Sequence, residues 1–429
     1  RKARKNNGAK RDMHYEMEQE EHDVYPDDPD FDINKARLVT TAPRICVRYE
    51  CVPMRFIKHV YKIHTYAQDG RLFEGKTPVS AFLNSSYDGS FIAGLMELRY
   101  IQSLPVERII NYFESHGFTL KKPTAHKLME KASSLFENLY KCIRQTALSD
   151  PYKAADETYY KILVPEKNSK GKGFRKGYLW VVVGINTRMI YLLYDDGSRS
   201  EKVILNELGG CKGIIQSDGY SPYRKLESDA YPHITRIPCL QHIKRKFIDC
   251  GEDDPDAKRI VEMINTLYQN EHKHKIGVDG WTVEQNLVHR KKYAPDILGE
   301  IKDVLDDIEE RGDLLPKSEL KEAITYLRNE WNAVVDIFNY GDTYLDNNIV
   351  ERMNRYISLS RKNSLFFGSH KGAERGAILY TIALTCRMNK VNLFEYLTDV
   401  INRTAEWQPN TPLEKYRQLL PDRWEKAND

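Results

Sequence analysis

"AADETYYKILV" (residues 154–164) decides how the chain is read. β-Branched and aromatic residues crowd it, helix formers do not set its rhythm, and an acid, Asp156, sits inside it; it reads as a strand. Two more strand candidates follow at once, "GYLWVVVGINT" (177–187) and "MIYLLYDD" (189–196). "SEKVILNEL" (200–208) has helical spacing, and "GIIQSD" (213–218) is a short apolar run that ends on an acid. "HITRIP" (233–238) is a further strand, and "CLQHIKRKFIDC" (239–250) a basic amphipathic helix. The order is therefore three strands in succession, then helix, strand, a short helix, strand and helix.

From Asp254 to Phe338 the spacing is helical and charged, with Trp281 and Trp331, and helices return at 344–360 and 371–404. A three-strand meander followed by alternating α and β is the element order of a ribonuclease-H-like domain. We therefore expect an α/β fold: a mixed five-stranded sheet with flanking helices, interrupted by a long helical insertion. The boundaries read from the sequence are 151–253 for the first part of this core, 254–340 for the insertion, 341–405 for the second part and 406–429 for a tail.

Upstream the character differs. "RKARKNNGAKR" (1–11) is basic and "EMEQEEHDVYPDDPDFD" (16–32) acidic, and charge blocks of this kind are usually solvated; residues 1–40 are expected to be a flexible charged lead-in. Residues 41–87 read as a short β-rich segment. Residues 88–150 read as helical, with Pro105 opening one helix, "HGF" (116–118) breaking it and "KPTAHKLMEKA" beginning the next. Helix, Gly-containing turn, helix is compatible with a helix-turn-helix and equally with an all-helical packing domain.

Composition sets limits. No run of about 18 apolar residues exists, which excludes a membrane-spanning helix, and no secretory signal is read. The sequence opens on Arg1, which leaves room for a preceding segment. Seven scattered cysteines, an odd number without a CxxC pair, give neither a disulfide framework nor a zinc signature, and suit a reducing cytoplasm. Net charge is only +3, yet "EKNSKGKGFRKG" (166–177) and the segment 352–375 are locally basic, which suits a polyanion.

Three acids acquire meaning in this layout. Asp156 lies within the first strand, where a charge without a counter-ion is costly. Asp218 ends the fourth strand, where strand ends of α/β sheets face a crevice. Glu351 lies in "LDNNIVERMNR" (345–355), on a helix after the insertion. The first and fourth strands of such a fold are neighbours, so the two aspartates converge and the helix supplies the third acid. Three convergent carboxylates suit a pair of Mg²⁺ ions, which take oxygen ligands and share them with phosphates. Any one of these acids taken alone reads far more readily as solvated surface than as a ligand. Glu157 is left out because it faces the other side of its strand, and Glu374 in "GAERGA" is a rival third acid.

The ordered runs "ADET" (155–158), "QSDGY" (216–220), "CLQHIKRKF" (239–247), "LDNNIVER" (345–352) and "RKNSLFFGSHKGAERGA" (361–377) resemble the insertion-sequence-66 family of transposases. The resemblance spans most of residues 45–405. It implies a DDE catalytic core with Asp156, Asp218 and Glu351 as catalytic and metal-binding acids, two Mg²⁺ ions for which Mn²⁺ substitutes, and DNA as partner. Cys239 and His242 form the CxxH pattern of several such families, expected to position the site or touch DNA; on a helix the same spacing is also that of a packed Cys and a hydrogen-bonded His. Asn347 and Asn348 are expected to cap or orient the Glu351 helix. Lys170, Lys172, Arg175, Lys176, Lys244, Arg245, Lys246, Arg352, Arg361 and Lys362 are expected phosphate contacts, though each reads equally as exposed charge.

Family members often carry a cysteine-based zinc segment upstream. Here the corresponding stretch, "HVYKIHTYAQDGRL" (59–72), has His64 and Tyr66 instead, and Cys46 and Cys51 have the wrong spacing. No structural zinc is therefore expected. The implied activity is cleavage at transposon ends and strand transfer into target DNA, by a homo-oligomer with possible accessory proteins, in a bacterial cytoplasm and on the nucleoid when bound to DNA. The competing expectations are a structure-selective nuclease of the same fold and a domesticated DNA-binding protein without catalysis; a glycosidase is remote, because the acids' surroundings are basic.

Overall fold

In chain order, the N-terminal strands are β1 (Gln19–Val24), β2 (Arg37–Leu38), β3 (Arg44–Val52), β4 (Arg55–Ile63), β5 (Thr65–Gln68) and β6 (Arg71–Glu74). The structure is a computed structural model that describes residues 19–52, 55–78, 80–82, 85–166, 171, 173–251, 253–408 and 410–426. Two three-stranded sheets form, in the orders β1-β4-β3 and β2-β5-β6. Part of the stretch expected to be a flexible lead-in is therefore strand: β1 runs parallel to β4, with Glu20 opposite His59 and His22 opposite Tyr61. The acids of β1 face bases of β4 and of the residue that follows it, as in Glu21 with Lys62 and Asp23 with His64. Charge complementarity with a distant strand is invisible to a local reading of composition.

Helices α1 (Gly89–Met96), α2 (Val106–Ser115), α3 (Lys122–Leu135) and α4 (Glu137–Ser149) follow, and a π-helical turn, Glu97–Ile101, continues α1. Pro105 is the residue before α2, as expected, and Gly117, at φ +81°, makes the left-handed turn that ends it. Phe56, Phe91, Phe113 and Phe118 pack tilted and edge-on against one another as an aromatic core.

The chain divides into two compact units, one holding residues up to Ile143, Tyr356–Phe367 and those from Lys371 on, the other Arg144–Arg355 and Gly368–His370. The second unit contains β7 (Tyr152–Leu163), β8 (Phe174–Gly184), β9 (Met189–Leu193), α5 (Glu201–Leu208), β10 (Gly213–Ser217), α6 (Ser221–Arg224), β11 (Ile234–Pro238) and α7 (Leu240–Ile248). Its mixed five-stranded sheet has the order β11-β10-β7-β8-β9. β7, β8 and β9 form an antiparallel meander, and β10 and β11 run parallel to β7. Val181, Val182 and Val183 of β8 and Ile190, Tyr191 and Leu192 of β9 are buried, which is why these runs read as strands rather than as alternating faces.

Three long helices then intervene, α8 (Pro255–Glu271), α9 (Val283–Glu310) and α10 (Glu319–Ile337). They share a core with the sheet: Ile264, Leu298 and Leu327 belong to one buried cluster with Tyr152, Ile214 and Ile237. Helix α11 (Asn348–Asn363) follows, and α12 (His370–Met388), α13 (Leu393–Thr404) and α14 (Leu413–Gln418) complete the chain. No helix of the described residues is long and apolar enough to cross a membrane.

Candidate active site

Register brings two of the acids together. The last ladder pair between the parallel strands β7 and β10 is Ala154 with Gln216. Asp156 and Asp218 lie two residues beyond it on neighbouring chains, so they share a level and a face of the sheet. Asp218 accepts the Tyr220 N–H at 3.1 Å, which folds the chain away from the end of β10. The Tyr326 hydroxyl of α10 takes the neighbouring Gly219 N–H at 2.8 Å. A Cβ at position 219 would fall 2.5 Å from that hydroxyl, so this approach requires glycine.

The third acid is delivered by a segment anchored to the sheet. Gln216 accepts from the Tyr152 hydroxyl at 2.6 Å and donates to the Tyr344 carbonyl at 2.8 Å, while the Tyr344 N–H meets the same hydroxyl at 3.0 Å. The Leu240 N–H bonds the Leu345 carbonyl at 2.9 Å, and the Asn347 N–H bonds Cys239 Sγ at 3.2 Å. Asn347 then donates its side-chain amide to the Ala155 carbonyl at 3.0 Å, and Asn354 donates its own to Asp156 Oδ2 at 2.7 Å. Residues 347, 351 and 354 are spaced i, i+4, i+7, so Glu351 lies on the helix face that meets β7.

The electrostatics are those of carboxylates gathered without a basic partner. Asp156 is only partly accessible and densely enclosed; burial, then the charges of Glu157 and Asp218, push its carboxyl up to about 8. No basic side chain pairs with Asp156 or Asp218 among the described residues, and the half-buried Glu351 leaves Oε1 without a hydrogen bond. Its nearest basic neighbour is His242, whose Nε2 is 3.7 Å from that oxygen. Oxygen donors, an unsatisfied carboxylate and a carboxyl pushed up by burial and by neighbouring acids fit a hard divalent cation.

Of the two roles expected of Asn347, capping α11 or orienting it, the side chain makes the orienting hydrogen bond to the sheet, and Asp346 accepts the Asn348 N–H at 3.1 Å. Asn348 and Arg352, one turn apart, line a separate cleft of about 880 Å³ with Tyr268, His272 and Tyr344. Cys239 is buried and its thiol is pushed up to about 12, mainly by burial, so it is a neutral hydrogen-bond acceptor behind the Glu351 helix. Arg245 and Lys246 line a cleft with Asp218 and His242, joined by Arg199, whereas Lys244 is half-buried outside it.

Arg175 and Lys176 pair near Ile162 and Lys161, at the far end of the β7–β8 hairpin. Asp156 pairs with Val181, five residues from Lys176 or roughly 17 Å along the strand. Arg175 is ion-paired with Asp196 at 3.1 Å. Lys170 and Lys172 lie outside the described residues. Arg361 and Lys362 fall on the part of α11 assigned to the first unit, as does the exposed Glu374 on α12. Glu157 is not a spare acid: its carboxylate pairs with Arg199 and is approached by the Tyr223 hydroxyl at 3.4 Å. Asn354, Tyr326 and Arg199 were missed. Only Asn354 left a trace in the sequence, its i+3 spacing from Glu351.

Comparison with known proteins agrees with the resemblance in the motifs. Three curated relatives come from Sinorhizobium fredii (strain NBRC 101917 / NGR234), all described as uncharacterized. Protein y4jD is 26% identical over 346 residues, 77% of this chain and 65% of its own length. Protein y4hP is 24% identical over 438 residues, 92% and 76%, and y4qI 26% over 384 residues, 86% and 69%. The chain thus spans just under two thirds of the first of these relatives. The sequence pattern described as Transposase IS66 family matches residues 84–375, a span that includes Asp156, Asp218 and Glu351 and more than half of the chain. The chain therefore belongs to the IS66 family of transposases.

Proposed function

We propose that this chain cleaves DNA at the ends of a mobile element and joins them to a target, using Asp156, Asp218 and Glu351 in a ribonuclease-H-like core. The observation that carries the proposal is the joining of β7, the end of β10 and α11 at one place, tied by the Asn354–Asp156 hydrogen bond. The sheet order, with its antiparallel meander and two added parallel strands, supports the ribonuclease-H-like reading. The helices α8–α10 then stand where an insertion before the last acid is expected.

Mg²⁺ or Mn²⁺ held by the three acids would neutralise the scissile phosphate and make a water or a 3′-hydroxyl more acidic. In cleavage, water oxygen bonds to phosphorus, the P–O3′ bond breaks, and the products are a 3′-hydroxyl and a 5′-phosphate. In transfer, that 3′-hydroxyl bonds to a target phosphorus and the target's own 3′-oxygen leaves as a hydroxyl. One phosphodiester replaces another, so no nucleotide hydrolysis is required. Asn354 and Asn347 fix the helix against β7, so the carboxylates need not reorganise as the reaction proceeds. Arg245, Lys246 and Arg199 grip phosphates beside Asp218. Helices α2 and α3 of the first unit, together with the basic hairpin end, would hold flanking DNA through salt-sensitive phosphate contacts. Joining two ends calls for at least two copies of the chain, acting on the nucleoid of a bacterial cytoplasm.

The test is a Mg²⁺-dependent assay on DNA carrying element ends, with Asp218→Ala beside the unaltered chain. Cleavage and strand transfer by the unaltered chain, both lost in Asp218→Ala while DNA binding is kept, is the expected result. Cleavage without strand transfer would favour a structure-selective nuclease. DNA binding with neither reaction would favour a binder without catalysis.

A further inference from the structure

We infer that Glu20, His22 and His59 form a binding site for a first-row divalent transition-metal ion, zinc above all, which clips β1 to β4. The site lies wholly in the first unit, away in sequence from the three acids, and uses neither His64 nor Tyr66, where a cysteine pair was sought. It revises the expectation, drawn from cysteine spacing alone, that no structural zinc is present.

The geometry comes from strand register. Glu20 and His22 are two apart on β1 and share a face; His59 sits directly opposite Glu20 on β4. His22 Nε2 and His59 Nδ1 approach to 3.2 Å. Glu20 Oε2 lies 3.7 Å from the first and 3.8 Å from the second. Donor atoms about 2.0–2.1 Å from a tetrahedral zinc ion are separated by about 3.3–3.4 Å, so this triangle is close to the required size. The rings of His22 and Tyr61 stack at 5.3 Å, which holds the imidazole over the sheet.

A second carboxylate completes the arrangement. Glu50 of β3 lies 2.6 Å from His59 Nε2, the nitrogen turned away from the triangle. A carboxylate there takes the Nε2–H and leaves the Nδ1 lone pair pointing inward, the tautomer that ligates. A hydrogen-bonded histidine pair would account for the 3.2 Å separation by itself. It would not account for a carboxylate almost equidistant from both nitrogens, or for a second one orienting His59 from behind. Two imidazoles and one carboxylate are a borderline-soft donor set that favours zinc over Mg²⁺.

The strand needs such a clip. Of the six residues of β1 only Val24 is other than exposed, so burial adds little to its attachment. Metal bound across β1 and β4 would convert ligand affinity into stability of that pairing.

The test uses the full chain with Asp156→Asn, Asp218→Asn and Glu351→Gln, so that the three acids, and Glu351 with the neighbouring His242 and Cys239, do not compete for metal. It is stripped with a chelator and titrated with Zn²⁺ against a chromophoric competitor. One equivalent bound per chain is expected, weakened about 100-fold or more in His22→Ala and His59→Ala. Glu50→Gln keeps all three ligands and should weaken binding by about 10–100-fold. Circular dichroism checks that each variant remains folded. No zinc bound by the parent, or histidine variants binding as tightly as the parent, would overturn the assignment.

Discussion

Asn354 Nδ2 is 2.7 Å from Asp156 Oδ2, and this hydrogen bond ties the helix that carries one acid to the strand that carries another. Asn354→Ala should leave the acids in place but free their relative orientation. Supporting groups of this kind typically contribute 10–100-fold to metal affinity or activity. We expect cleavage of end-containing DNA to fall by about that factor, with the DNA dissociation constant unchanged within about 2-fold. Unaltered cleavage would show that the bond is incidental.

The raised Asp156 carboxyl, at about 8, gives a pH dependence of defined sign. Between about pH 4 and 8 the folded, metal-free chain keeps this proton while the unfolded chain has lost it. Stability contributed by this group is therefore greatest in acid, falls as pH rises through that window, and is level above it. Four pH units correspond to at most about 5 kcal/mol, and solvent access will reduce this. Asp156→Asn should raise Tm at pH 8.5 more than at pH 5.5 in the presence of a chelator. Equal shifts at both pH values would contradict the assignment.

Tyr326 links helix α10 to the chain turn beside Asp218. Tyr326→Phe removes only the acceptor of the Gly219 N–H and should cost about 1 kcal/mol of stability. Gly219→Ala would force its new methyl into the Tyr326 ring. It should reduce cleavage more than Tyr326→Phe does. Denaturant melts and cleavage rates for the two variants check this ordering.

Arg236 and Glu330 form a buried ion pair, with side chains 0% and 1% exposed, and Glu227 meets Arg236 Nε at 2.5 Å. Burial holds the Glu330 carboxyl above its ordinary range, opposed chiefly by Arg236. Arg236→Met removes the partner and should destabilise by about 3–5 kcal/mol. The double change Arg236→Met, Glu330→Leu should recover most of that loss. Additive losses would mean that the two side chains act independently.

The sheet of the second unit was legible because β8 and β9 are buried, leaving apolar runs that no other element explains. Helices α8–α10 were legible from their spacing. β1 was not, because its exposed, acidic residues acquire strand character only through β4, some forty residues later. The pairing of Asp156 with Asp218 followed from the neighbourhood of two strands. The roles of Asn347 and Asn354 did not, since they depend on the rotation of α11 against β7. For Asn347 the sequence left capping and orienting open, because caps and sheet anchors use the same side chain. How far the basic hairpin end lies from the acids was not legible, as composition carries no distance along a strand.

The most direct test of the acid cluster compares Glu351→Gln with Glu157→Gln in Mg²⁺-dependent cleavage of end-containing DNA. Both remove one carboxylate charge from the same neighbourhood, but only Glu351 is without a basic partner at ion-pair distance apart from His242. The account predicts that Glu351→Gln lowers the cleavage rate by about 10³-fold or more, as expected when a group supporting the transition-state charge is lost, and that Glu157→Gln keeps most of it. Full activity in Glu351→Gln, or a larger loss in Glu157→Gln, would contradict it.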